Sequence, residues 1–126
     1  MRKLIMLIGL SAIVSINVSA EDAEMDQDLM QTIEDTNKSL SSNIALQRVD
    51  ASVTDATELN NMFTIVEAHF IKKGDANNAV DLSKKSKDLS QDIIKLVNEK
   101  NFDSATNSAT ELSRTCKSCH TFYKKE

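Results

Sequence analysis

The sequence predicts an all-α protein folded as an up-down-up-down antiparallel four-helix bundle. Three observations predict it. The chain has no proline, and beyond its first twenty residues it has one glycine, Gly74. Strand-rich folds draw on many Gly/Pro turns, whereas long helices need few. Apolar residues recur at alternating gaps of three and four in four blocks, a heptad stripe on each of four helix faces. The breaks between blocks carry helix-end residues.

The first element is expected over about residues 23–49, with the stripe Met30, Ile33, Asn37, Leu40 and Ile44. Asn37 is its polar exception. Five acids, Glu21, Asp22, Glu24, Asp26 and Asp28, crowd its start, where the helix macrodipole favours negative charge. The second is expected over about 52–73, capped by Asp50 or Ser52, with Ala56, Leu59, Phe63, Val66 and Phe70 inward. In "KKGDA", Lys72 and Lys73 fill a last turn, Gly74 takes a left-handed cap and Asp75 caps the next helix. The third helix, about 76–100, carries Ala79, Leu82, Ser86, Leu89, Ile93 and Leu96. In "EKNFDSA", Asn101 closes it and Asp103 opens the fourth, about 103–124, with Ala105, Ala109, Leu112, Cys116, Cys119 and Tyr123. Short links force antiparallel neighbours, so the start of the first helix and the end of the fourth share one end of the bundle.

The chain has 126 residues, which predicts one domain. Residues 1–20 stand apart from it. Arg2 and Lys3 precede an apolar run from Leu4 to Val18, and small residues close it, with Val18 and Ala20 at the positions a signal peptidase reads. The run is shorter than the roughly 20 residues a membrane helix needs. A cleaved secretory signal is therefore expected, leaving 21–126 as an exported domain with no membrane association. Losing Arg2 and Lys3 takes 15 basic residues to 13 against 19 acidic ones, and the net charge from −4 to −6. An acidic surface disfavours polyanions, so nucleic acid is not an expected partner.

Both cysteines lie in "CKSCH", with His120 beside them. Cys116 and Cys119 are at i and i+3, on one helix face and on the inner stripe. Two thiols that can add to two vinyl groups, with an imidazole at hand for iron, form the attachment motif of c-type haem. On this reading Cys116 and Cys119 bind haem c covalently, one per chain, and His120 is the proximal iron ligand. A redox disulfide is the first alternative, but such pairs open a helix after a strand, where the thiol pKa falls. A zinc site is the second and lacks a fourth ligand, since His69 is the one other histidine.

Haem on the fourth helix faces the first. Met30 is on its stripe at the matching end; Met25 is off the stripe, and Met62 is far from that end. Position alone leaves Met30 either a distal iron ligand or a core filler. His69 precedes the stripe residue Phe70 and is expected to point to solvent. Ile33, Phe63, Val66, Phe70, Ala79 and Leu82 supply apolar walls in the same half. Lys72, Lys73, Lys124 and Lys125 form a basic rim there, which serves equally as ordinary helix C-terminal charge.

These residues resemble the cytochrome b562 family of small periplasmic four-helix haem proteins over nearly the whole exported chain. The likeness is most specific at "MQTIED", where Met30 stands at the family's methionine ligand. It is equally specific from "DIIKLVNEKNFDSAT" through "ELSRT" to "HTFYKK", where His120 stands at its histidine ligand. The family holds haem b without covalent links, so Cys116 and Cys119 depart from it and are similar instead to the cytochrome c prime group. The resemblance implies haem between the first and fourth helices with His120 and Met30 as axial ligands. It implies a periplasmic electron carrier, not an enzyme, working with redox partner proteins as a monomer or homodimer. The alternative is a five-coordinate, cytochrome c prime-like protein that binds NO or CO.

Overall fold

A computed structural model describes residues 25–123, with side chains through Cys119. It contains four helices: α1 Gln27–Ala45, α2 Val49–Lys73, α3 Asn77–Asn98 and α4 Phe102–Tyr123. No strand occurs among the described residues. Each helix packs on the next, and α4 returns to α1, which closes a four-helix bundle. The α2–α3 contact is the most extensive and the α1–α4 contact the thinnest. The expected signal segment 1–20, the acids Glu21, Asp22 and Glu24, and the rim residues Lys124 and Lys125 lie outside the described residues, as do the side chains of His120 and Tyr123.

Helix ends account for the element boundaries. Asp26 caps α1, its carboxylate accepting from the Leu29 N–H at 2.7 Å. α1 stops earlier than expected because Gln47 turns left-handed at φ 54°. Its N–H donates to the Ile44 carbonyl and that of Arg48 to the Asn43 carbonyl, the paired bonds of a Schellman close. α2 then begins at Val49, with Arg48 rather than Asp50 or Ser52 at the cap position. Gly74 takes the expected left-handed conformation, φ 82°, and donates to the Phe70 carbonyl. Asp75 does not cap α3; Ala76 holds that position, without a side-chain hydrogen bond. Lys100 repeats the Gln47 device at φ 58°. Lys100 donates to the Val97 carbonyl and Asn101 to the Leu96 carbonyl. Asn101 is thus not the left-handed closer of α3. It opens α4, its Oδ1 accepting from the Ser104 N–H at 3.3 Å.

The inner stripe of α2 is as expected: Ala56, Leu59, Phe63, Val66 and Phe70 are all buried, joined by Met62. The stripe of α3 is rotated. Ala79, Ser83, Ser86, Ser90, Ile93 and Val97 are its buried residues, while Leu82, Leu89 and Leu96 are half-buried on one flank. Both sets keep the same spacing, and the apolar count favours the wrong one. Serines fit because each hydroxyl donates to the carbonyl four residues back: Ser83 to Ala79, Ser86 to Leu82, Ser90 to Ser86. Polar ties fix the other contacts. Asp55 of α2 accepts from Ser39 and Asn43 of α1 at 2.8 Å each. Lys87 of α3 meets Glu67 of α2 at 3.0 Å, with both side chains largely shielded. Lys85 of α3 pairs with Glu111 of α4 and holds that carboxyl below its ordinary range.

Candidate functional site

Asn37 of α1 donates through Nδ2 to Ser113 Oγ of α4 at 3.0 Å, and this bond sets the register of the thinnest contact. From that pair, seven residues toward the chain start lead to Met30, and seven toward its end lead to His120. Antiparallel helices rise about 1.5 Å per residue, so both residues lie about 10 Å from the pair, at one level. The side chain of His120 lies outside the described ones, while its backbone continues α4.

Between this level and the Asn37–Ser113 bond the bundle opens into a cavity of about 420 Å³. That is within the roughly 300–1,000 Å³ of small-molecule and cofactor sites. All four helices line it. α1 contributes Met30, Ile33, Glu34 and Asn37; α2 contributes Phe63 and Val66. α3 adds Leu82, Ser83 and Ser86, and α4 adds Ser113, Thr115, Cys116, Lys117 and Cys119. Four of the six expected wall residues are there; Phe70 and Ala79 are buried in the core beside it instead. Met62 belongs to the core, 8% exposed, and not to the cavity. His69 is exposed as expected, edge-on to the Phe70 ring at 5.2 Å between centroids.

The cavity thus brings together Met30, Cys116 and Cys119. Burial pushes the Cys116 thiol up to about 11, with Cys119 beside it adding to the rise. Burial also raises Cys119. A redox-active Cys pair needs the opposite, a thiol held as thiolate near neutral pH. Among the described residues no group of three His, Cys, Asp or Glu side chains is placed to hold a metal ion, and the His120 side chain lies outside them. The donor set fits a c-type haem: two protonated thiols one helical turn apart, a thioether across from them, and apolar side chains from three helices.

Two features were harder to see in the sequence. Ser83 and Thr115 line the cavity although neither is on an apolar stripe. Asn37 was visible as a polar intruder in the α1 stripe, and its carboxamide oxygen is buried with no hydrogen-bond partner. No protein-family model, curated protein or solved structure matches this chain.

Proposed function

We propose that this chain is an exported, periplasmic c-type haem protein that carries electrons and converts no substrate. The observation that carries the reading is that Met30, Cys116 and Cys119 line one cavity at the α1–α4 contact. Cys116 and Cys119 would hold the haem covalently, each thiol as a thioether to one vinyl group. His120 through its imidazole and Met30 through its sulfur would hold the iron, the two residues standing at one level on facing helices. Phe63, Val66, Ile33 and Leu82 keep water from the ring, which together with the ligands sets its potential. Bound haem supplies a ferrous/ferric couple. Fixed ligands on packed helices keep geometry constant between the two states, which suits electron transfer to partner proteins.

Expression with a haem-attachment system, followed by denaturing electrophoresis and acid-acetone extraction, tests the reading. The colour should stay with the polypeptide. Cys116→Ala together with Cys119→Ala should render it extractable. Colour that extracts while both thiols remain alkylatable would exclude c-type attachment. A ferrous protein that binds carbon monoxide readily, with a high-spin ferric form, would replace the electron carrier by the gas-binding reading.

A further inference from the structure

Asn37 sits where the α1 stripe should be apolar, and its hydrogen bonding is one-sided. Ser113 gives its hydroxyl proton to the Ala109 carbonyl at 3.2 Å. With its proton there, its oxygen accepts from Asn37 Nδ2 at 3.0 Å. This arrangement leaves Asn37 Oδ1 without a donor, exposing less than 1 Å². The neighbouring hydroxyls cannot help. Ser83, Ser86 and Thr115, which line the same cavity, each spend their proton on the carbonyl four residues back. These hydroxyls therefore offer lone pairs rather than protons to Asn37 Oδ1. Once Cys116 and Cys119 are thioethers they have no S–H to give. Native proteins rarely leave a buried acceptor unpaired, and such an atom marks a missing water or ligand group.

We propose that Asn37 is a binding residue of the cavity, its Oδ1 accepting a hydrogen bond from an O–H group held there. That group is a protonated carboxyl of the prosthetic group or a water ordered beside it. The inference rests on the haem reading and adds a polar anchor opposite the thioether attachment. Asn37 already lines that cavity.

Redox-difference infrared spectroscopy of the haem-loaded protein tests it, in ordinary water, heavy water and ¹⁸O-labelled water. A carboxyl donor gives a carbonyl stretch that shifts in heavy water and ignores ¹⁸O-water. A water donor gives an O–H stretch that shifts in both. Either band supports the proposal if it moves to a weaker hydrogen-bond position in Asn37→Leu. Asn37→Ala, which needs no extra room, should show the same shift and guards against misfit of the leucine. An identical spectrum in the wild type and both variants overturns the proposal while leaving the haem reading standing. A colourless protein overturns both.

Discussion

Cys116 and Cys119 on α4 and Met30 on α1 line one cavity, and each can be altered with a separate expected outcome. Met30→Ala removes a half-buried side chain from a surface already open. Its packing cost should fall below the roughly 2–5 kcal/mol of a fully buried Met→Ala change. Its effect on the iron should be larger: a high-spin spectrum, a lower potential and new carbon monoxide binding in the ferrous state, checked by visible spectroscopy and redox titration. Unchanged low-spin iron would exclude Met30 as the ligand. Cys116 has a signature in the haem-free chain. Folding raises its pKa from the ordinary thiol value to about 11, so the folded state holds its proton more tightly than the unfolded one. Stability from this group is whole below the unfolded pKa, roughly 8.5, and is lost as pH rises toward 11. The urea midpoint of the haem-free protein should fall over that window, and Cys116→Ala should fall less. At this scale the sequence was most readable where chemistry is written in residue type, as in the CKSCH segment. It was least readable where a polar residue is inside for want of size, as with Ser83 and Ser90, because hydropathy ranks them outside and hides their bonds to the helix carbonyls.

Helix identity was legible from heptad spacing, and helix ends only in part. Gly74 was readable because glycine advertises a left-handed cap. Gln47 and Lys100 adopt the same conformation with a Cβ, and nothing in their type announces it. The two kinds of cap make opposite predictions. Gly74→Ala meets no atom within 4 Å, so its cost is backbone strain alone, about 1 kcal/mol. Lys100→Gly relieves that same strain and should stabilise by a similar or smaller amount, since glycine adds entropy to the unfolded chain. Thermal melts of both variants check the signs: the midpoint drops for the first and rises for the second. A fall in both would mean that the Lys100 side chain contributes more than its backbone costs. Asn101, read in the sequence as the end of α3, is the cap of α4, a reminder that one polar residue between two helices can serve either.

Across the whole molecule, packing quality is uneven and follows the site. α2 and α3 make the most extensive contact, which includes the shielded Glu67–Lys87 pair. α1 and α4 meet thinly, joined by the Asn37–Ser113 bond, and the cavity opens from that bond toward Met30 and the cysteines. Local opening is cheapest where buried apolar contact is sparse. The haem-free chain should therefore exchange its amide hydrogens fastest at the Met30 end of α1 and the Cys116 end of α4, and slowest along α2 and α3. A ligand that binds the native state alone adds stability by mass action, and one joined covalently cannot leave. Haem attachment should then slow exchange chiefly in those two segments, with a matching rise in melting temperature. Hydrogen-exchange mass spectrometry on the haem-free and loaded forms measures this directly. Protection gained evenly over all four helices would point to global stabilisation without a local site. Protection gained at the α2–α3 contact alone would place the cofactor elsewhere in the bundle.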